Sequence, residues 1–263
     1  MNKPTFVLIT ALWKRPELTN VVLERFKNLK IEISDKFNLK LIAVGSEGSE
    51  SKKLSESKGF LYIEYKNSPL NIKFNQACIA AKQFDPFAVF KIDSDDWITS
   101  NVFEKYFELL QGGEDAIGLK DLYFLDLKGF RLGKWDGYGY FNTRMNRFES
   151  WRRKLKGRSH GVGRCFSNSA MQKLNWKLWD DNIEIDSWLD GNCDRRLRNH
   201  NMKIKSYKMS DLQVFAMDIK GGGANITIDT FKKLKIKMQN NPIDIISNYF
   251  PPEEVKNLLR LQY

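Results

Sequence analysis

Cysteine and histidine, the residues that build covalent or metal-held scaffolds, are scarce in this sequence of 263 residues. The three cysteines, Cys78, Cys165 and Cys193, are odd in number, far apart and without a CxxC spacing. We therefore expect neither a disulfide framework nor a zinc site. The two histidines, His160 and His200, are interpreted as surface or capping residues rather than metal ligands.

The sequence also lacks long apolar runs. No N-terminal stretch has the basic flank and length of a signal peptide, and no run approaches the length of a transmembrane helix. We therefore expect a cytoplasmic protein without a membrane span. A hydrophobic content of 42% is enough for a real core, and the net charge of +11 at pH 7 predicts attraction to polyanions such as nucleotides, nucleic acid or an anionic membrane surface.

Short apolar runs alternate with helical patterns in the first part of the chain. The run 5–12 precedes a helix opened by Pro16, and further strand-like runs follow with helical stretches between them. This alternation predicts right-handed crossovers and an α/β fold with a mostly parallel central sheet. The other predicted elements are the strands 39–44, 60–65 and 87–92 and the helix 71–84.

Three carboxylates directly follow the fourth of these strands, at Asp93, Asp95 and Asp96. A parallel strand would deliver them to the carboxyl edge of the sheet, where open α/β proteins bind ligands. Carboxylates so close together are typical of a site for Mg²⁺ or Mn²⁺, which binds one or two of them together with substrate phosphates. The alternative is a loop that merely caps the next helix.

The second part of the chain shows weaker periodicity. We predict an amphipathic helix around 102–110, a strand over 115–127 and a short strand over 161–167 that precedes a helix capped by Asn168. A further helical pattern extends from about Glu184 to Arg198. The remaining predicted elements are the strands 202–207 and 212–217 and two amphipathic segments, 228–238 and 252–261.

A basic stretch occupies residues 144–160, with seven arginines and lysines against the single acid Glu149. Aromatic residues are interleaved with the charges, as in surfaces that bind nucleic acid strands or anionic glycans. A solvated surface with no partner is the alternative interpretation. The candidate acceptor-binding residues are Arg147, Trp151, Arg152, Arg153, Lys154 and Arg158.

Four segments in order resemble a family 2-type glycosyltransferase of the GT-A fold: residues 7–16, 71–77, 91–97 and 184–197. The resemblance covers residues 4–225. It implies a single Rossmann-like nucleotide-binding domain with a mostly parallel central sheet, helices on both faces and an acceptor-side extension. We expect this domain at 1–225, with a nucleotide-sugar half at 1–98 and an acceptor half at 99–225, followed by a C-terminal helical tail at 226–263.

The resemblance also implies a donor site for a nucleoside-diphosphate sugar, expected to be a UDP-sugar, bound with Mn²⁺ or Mg²⁺. Glu47 stands where the family usually has an aspartate that contacts the base, and Asp218 stands where the family often has a metal-binding histidine. Asp95 would bind the metal with support from Asp96, and Asp93 would contact the ribose. The other residues implied at the donor are Thr10, Ala11, Arg15, Asn71, Lys73, Asn75 and Lys220.

The resemblance further implies an inverting reaction in which a carboxylate accepts the proton of the acceptor hydroxyl. Asp186 is the predicted base, although the spacing from Glu184 departs from the adjacent Glu-Asp pair that is common in the family. An acid that merely complements a helix dipole is the alternative role for this residue.

The sequence leaves two classes of acceptor as alternatives. A saccharide or lipid-linked glycan is the family's usual acceptor, whereas the basic stretch would suit the phosphates of DNA, as in phage-type enzymes that glycosylate hydroxymethylated pyrimidines. A non-catalytic polyanion-binding module is a third hypothesis, and the intact acidic run argues against it.

Overall fold

A computed structural model describes residues 3–138, 157–221 and 236–261 of the chain. The strands are β1 (Thr5–Ala11), β2 (Asn38–Gly45), β3 (Leu61–Glu64), β4 (Ala88–Lys91), β5 (Asp96–Ile98), β6 (Ala116–Leu119), β7 (Leu122–Asp126), β8 (Arg131–Trp135), β9 (Arg164–Ser167), β10 (Ile204–Tyr207), β11 (Ala216–Lys220) and β12 (Ile236–Met238). The α-helices are α1 (Pro16–Glu32), α2 (Ser49–Ser57), α3 (Leu70–Ala81), α4 (Val102–Gln111), α5 (Asn168–Lys173), α6 (Leu189–Asn199), α7 (Met209–Leu212), α8 (Pro242–Ser247) and α9 (Pro252–Leu259).

The central sheet has seven strands in the order β10-β6-β9-β4-β1-β2-β3. Strand β1 pairs in parallel with β2 and β4, and β9 is antiparallel to both of its neighbours. The other strands of the sheet therefore run in one direction, which places the ends of β1, β2 and β4 at the same edge. The predicted α/β class with a largely parallel sheet is confirmed.

The inner strands of the central sheet are buried on both faces, which explains why β1 and β4 are almost continuously apolar. Phe6 and Leu8 of β1 face one core together with α1 and α4, while Val7 and Ile9 face another core together with α3 and α5. This alternation follows from the two-residue period of a strand.

A second sheet has the order β12-β8-β7-β11-β5. The prediction of one strand over 115–127 is therefore wrong. This segment is divided between β6 in the central sheet and β7 in the second sheet. The chain turns between them, where Lys120 N donates to Tyr207 O at 2.8 Å and Asp121 Oδ1 accepts from Met209 N at 2.8 Å. Local polar contacts thus end one strand and begin the next.

Three predicted boundaries are also wrong. The helix expected from Glu184 begins at Leu189, because Trp188 has a left-handed backbone with φ 59°. Of the strand expected over 212–217, only residues 216 and 217 belong to β11, because Leu212 ends helix α7 and Gln213 has a left-handed backbone. Ser167 rather than Asn168 caps α5, since its side chain accepts from Ala170 N at 3.1 Å.

The C-terminal segment contributes to both the second sheet and the core. Strand β12 pairs with β8, and Ile246 and Leu258 of α8 and α9 are fully buried. The predicted segment 252–261 is largely helix α9, whereas 236–238 is a strand, and the rest of the predicted segment 228–238 lies outside the described residues. Among the described helices, none has the length and apolar character needed to cross a membrane.

Candidate functional site

The acidic run lies at the carboxyl edge of the central sheet, where the chain passes from β4 to β5. Strand β5 pairs with β11 in antiparallel fashion, and this register sets Asp96 opposite Asp218. Ile219 N donates to Asp95 O at 2.7 Å, which continues the pairing of the two segments beyond β5. Two segments more than a hundred residues apart in sequence therefore bring their carboxylates together.

Asp95, Asp96 and Asp218 each offer a carboxylate oxygen, and these oxygens lie within 4.8 Å of one another. Asp218 Oδ1 is buried without a hydrogen-bond partner among the described residues. Hard divalent cations such as Mg²⁺ and Mn²⁺ prefer such oxygen ligands, at about 2.0–2.6 Å from the ion. The donor set and the unsatisfied oxygen both fit a cation of this kind.

Three basic side chains are interleaved with these acids. Arg15 Nη1 lies 2.9 Å from Asp95 Oδ2, Lys220 Nζ lies 2.6 Å from Asp218 Oδ2, and Lys91 Nζ lies 2.6 Å from Asp93 Oδ2. Lys91 and Lys220 are almost completely buried. The site therefore combines a metal-compatible acidic centre with positive charge, an arrangement suited to a diphosphate.

Burial controls the protonation of the acidic centre. It raises the pKa of Asp218 to about 6, against the opposing effect of Lys220, and it raises the pKa of Asp96 well above the usual value, with help from the charge of Asp218. Burial would also raise the pKa of Asp95, but Lys220 and Arg15 outweigh it and hold that pKa below its usual value. Asp95 is therefore the most firmly ionised of these acids.

The ends of β1 and β2 supply the next part of the site. Thr10 is fully buried, and its hydroxyl has no hydrogen-bond partner among the described residues, whereas Ala11 is partly exposed. Glu47 accepts from Lys14 N at 2.9 Å and from Ser51 Oγ at 3.2 Å, both through Oε2. These two contacts orient the carboxylate, and no described residue forms a hydrogen bond with Oε1.

Asn71, Lys73 and Asn75 of α3 are fully buried. Lys73 Nζ donates to Leu12 O at 2.6 Å, to Asn67 Oδ1 at 3.1 Å and to Ser46 Oγ at 3.2 Å. An ammonium group has three N–H donors, so all of them are used within the protein. Lys73 thus joins the ends of β1 and β2, and burial lowers its pKa to about 8.

The two asparagines of α3 hold the loop 179–185. Asn71 Nδ2 donates to Ile183 O at 2.7 Å, and Asn75 Nδ2 donates to Trp179 O at 2.9 Å. Both amide oxygens accept from the same loop, at Ile185 N and Trp179 N. Among the described residues, the polar side chains of α3 bond to loops of the protein, and no hydrogen bond or ion pair joins them to the acidic centre.

Asp186, the predicted base, lies at the start of α3. Its Oδ1 accepts from Leu70 N at 2.7 Å and its Oδ2 accepts from Ser68 Oγ at 2.6 Å. The carboxylate therefore caps the N-terminus of α3, where it satisfies a free N–H group and complements the helix dipole. This is a different helix from the one expected, since α6 begins only at Leu189.

Asp190, in the first turn of α6, is a carboxylate that the sequence analysis did not select. Its Oδ1 lies 3.9 Å from Arg164 Nη1, and 35% of its side chain is exposed. Its charge acts on both Lys91 and Asp93 at the end of β4. The signal that could have identified it is its place in the first turn of the helix that contains Arg195, Arg196 and Leu197, four residues after Asp186.

Arg164 holds the loop beside Asp190. It donates to His160 O and Ser159 O at 2.9 Å and to Asp190 O at 3.1 Å. His160 is itself buried, which corrects the expectation of a surface residue, and burial lowers its pKa to about 4. A buried arginine at a strand start gives no periodic signal, so its role could be found only from the structure.

Of the predicted acceptor residues, the structure describes Arg158. Its Nη1 lies 3.9 Å from Asp194 Oδ2 on α6, and about a third of its side chain is exposed. The other candidates, Arg147, Trp151, Arg152, Arg153 and Lys154, lie outside the described residues.

No protein-family model and no curated protein matches the sequence. Among solved structures, the fold is similar to TarS of S. aureus in complex with UDP, with a TM-score of 0.52, 10% identity and coverage of 97% of this chain and 69% of that chain. A second structure, TarS 1–349, gives a TM-score of 0.51 at 10% identity and covers 78% of this chain. The match spans only 58% of that TarS chain.

A weaker similarity is to 4-diphosphocytidyl-2C-methyl-D-erythritol synthase of Anaerococcus prevotii, with a TM-score of 0.48 and 12% identity. This match covers 88% of this chain and 92% of that chain. At these identities the likeness concerns the fold alone. Together with the observed topology, the TarS structures confirm the predicted GT-A class of α/β fold.

Proposed function

We propose that this chain is a metal-dependent, inverting glycosyltransferase that moves a sugar from a nucleoside-diphosphate sugar to an acceptor hydroxyl. One observation supports this most: Asp95, Asp96 and Asp218 meet within 4.8 Å at the carboxyl edge of a GT-A sheet. Arg15 and Lys220 lie directly beside them. A polyanion-binding module would have no need of this buried group of acids, whose assembly costs electrostatic free energy.

The proposed donor is a UDP-sugar. Glu47 Oε1, left available by the contacts to Oε2, is an acceptor that suits the N3–H of uracil. TarS, whose fold is similar, was solved in complex with UDP. Thr10 and Ala11 are proposed to lie against the nucleotide, and Asp93 is proposed to contact the ribose. Asn71, Lys73 and Asn75 are proposed to act on the donor through the loops that they hold.

Asp95, Asp96 and Asp218 would hold the divalent cation, which would neutralise charge on the diphosphate leaving group. Arg15 and Lys220 add positive charge on the same side. The acceptor oxygen attacks the anomeric carbon, the bond between that carbon and the diphosphate oxygen breaks, and the nucleoside diphosphate leaves with the electron pair. A carboxylate of the chain accepts the acceptor proton.

Two carboxylates compete for the role of base. Asp186 was predicted from the sequence, but both of its oxygens accept hydrogen bonds at the start of α3. Asp186 is the more exposed of the two, whereas neither carboxylate oxygen of Asp190 has a hydrogen bond among the described residues, and its charge acts on Asp93. These contacts favour Asp190 as the base and Asp186 as a helix cap, and we propose the roles in that form.

The proposed acceptor is a saccharide or lipid-linked glycan. Transfer to hydroxymethylated pyrimidines in DNA is the second candidate, because residues 144–160 carry seven basic side chains against one acid. The test is a screen of nucleotide sugars for hydrolysis in Mn²⁺ and in EDTA, followed by transfer to glycan and hydroxymethylated DNA acceptors. Hydrolysis of no nucleotide sugar, or full activity in EDTA, would contradict the proposal.

A further inference from the structure

Strand β5 contains Asp96, one of the three acids of the candidate metal site. In the second sheet β5 is an end strand, paired with β11 on one side. End strands leave a row of backbone groups without partners in the ladder. With three residues, Asp96–Ile98, this strand is too short to fix its own position through the sheet alone.

The open side of β5 is held by a buried arginine from α1. Arg25 donates through Nε and Nη2 to Ile98 O, each at 3.2 Å, and its side chain is 1% exposed. The planar guanidinium fixes the position of a carbonyl more closely than a flexible ammonium group would. Arg25 therefore restrains β5 from the side opposite β11.

The same guanidinium joins β5 to the C-terminal helix α9. Arg25 Nη1 contacts the carboxylate of Glu254 at 3.1 and 3.2 Å, and Asn28 Nδ2 donates to Glu254 Oε1 at 2.7 Å. Glu32 at the end of α1 also accepts from Arg25. A charge so deeply buried needs such partners, and Glu254 is itself 6% exposed.

An aromatic contact completes this connection. Trp97 lies between Asp96 and Ile98 in β5 and is fully buried, and its ring packs against Phe250 with centroids 5.0 Å apart. The guanidinium of Arg25 lies 5.2 Å from the same Phe250 ring. The last two residues of β5 are therefore both held in place: Ile98 by Arg25 of α1, and Trp97 by Phe250, which lies between the two C-terminal helices.

We propose that Arg25 is a positioning residue for the metal-binding acids, acting with Phe250 and Glu254 through β5. The inference rests on the proposed function, because it concerns the cation that Asp95, Asp96 and Asp218 would hold. Ligand oxygens must lie within a few tenths of an ångström of their ideal distances, so a small shift of β5 would weaken the site. The C-terminal helices would thus be part of the donor site rather than an independent tail.

The test measures Mn²⁺ affinity of the full chain by electron paramagnetic resonance, without donor or acceptor. Arg25→Lys keeps the charge but loses the planar double contact, and we expect the dissociation constant for Mn²⁺ to rise about tenfold. Phe250→Leu serves as a milder second variant, with an expected change of about threefold. Thermal unfolding is recorded for every variant.

The matched control is Met171→Ala, a cavity in the fully buried core on the other face of the central sheet. It should lower the unfolding temperature to a similar extent and leave Mn²⁺ affinity unchanged. Equal Mn²⁺ affinity in wild type, Arg25→Lys and Phe250→Leu would overturn the positioning role, as would an equal loss in Met171→Ala. Failure of the wild type to bind Mn²⁺ would instead contradict the proposed metal site itself.

Discussion

The acids at the end of β4 and the polar residues of α3 both lie in segments whose sequence resembles one family, yet the structure gives them different surroundings. Asp93 and Asp95 are partly exposed and form ion pairs with Lys91 and Arg15, and Asp218 keeps an oxygen without a hydrogen-bond partner among the described residues. Asn71 and Asn75 are fully buried and hydrogen-bonded within the chain. Resemblance alone therefore does not separate groups that can contact a ligand from groups that hold the contacting loops in place.

The largest effect is expected at the acidic centre. Asp95→Asn removes a metal-binding charge while preserving size, and we expect turnover to fall by about 10³-fold or more, since metal catalysis supplies several kcal/mol. Steady-state assay of donor hydrolysis measures this loss. Asp35→Asn, at an exposed position, is the matched control and should retain full activity. Activity of Asp95→Asn close to that of the wild type would remove this acid from the site.

The next effect separates the two candidate bases. Asp190→Asn cannot accept a proton, and we expect kcat to fall about 10²–10⁴-fold with UDP affinity nearly intact. Asp186→Asn can still accept from Leu70 N as a helix cap, so its kcat should stay within about threefold of the wild type. The reverse pattern would restore Asp186 as the base. A product with retained anomeric configuration would contradict both assignments.

A variant of α3 tests the other side of the comparison. Asn75→Ala removes contacts to Trp179 and Asp181, and we expect the free energy of unfolding to drop by about 2–3 kcal/mol because buried backbone groups lose their partners. Urea unfolding measures this change. UDP affinity, measured at a temperature where the variant is folded, should change by less than about threefold. A large loss of affinity without loss of stability would indicate direct contact with the donor.

The smallest effect concerns the acceptor. Five phosphate contacts by the basic stretch would give a slope of about −4.5 in a plot of log affinity for DNA against log salt, and replacing Arg152 and Arg153 by Ala should flatten it by about two. Lys52 and Lys53, exposed on α2, provide the control pair, whose replacement should leave the slope unchanged. A saccharide acceptor predicts DNA binding that is weak and insensitive to salt.

The order of strands and helices up to Asp96 could be predicted because it depends on local periodicity. The buried strands β1, β2 and β4 are largely apolar, and Gly45 and Asp93 mark the ends of the last two. The approach of Asp218 to Asp95 followed from the family resemblance, and the structure supplies its physical cause in the pairing of β5 with β11. That pairing joins segments far apart in sequence and leaves no local pattern.

The parts that could not be predicted depend on long-range contacts. The break at Lys120 and Asp121 comes from hydrogen bonds to Tyr207 and Met209, which lie about ninety residues away. The late start of α6 follows from the left-handed backbone at Trp188. The packing of α9 against α1 depends on the buried ion pair between Glu254 and Arg25, which are far apart in sequence. The boundary expected at 225 stays a prediction.

The most direct test of the account is calorimetric titration of the wild-type chain with UDP, in Mn²⁺ and in EDTA. If Asp95, Asp96 and Asp218 hold a cation that contacts the diphosphate, UDP should bind at least about tenfold more tightly in Mn²⁺, a difference of about 1.4 kcal/mol. Equal UDP affinity under the two conditions would contradict the metal-dependent donor site.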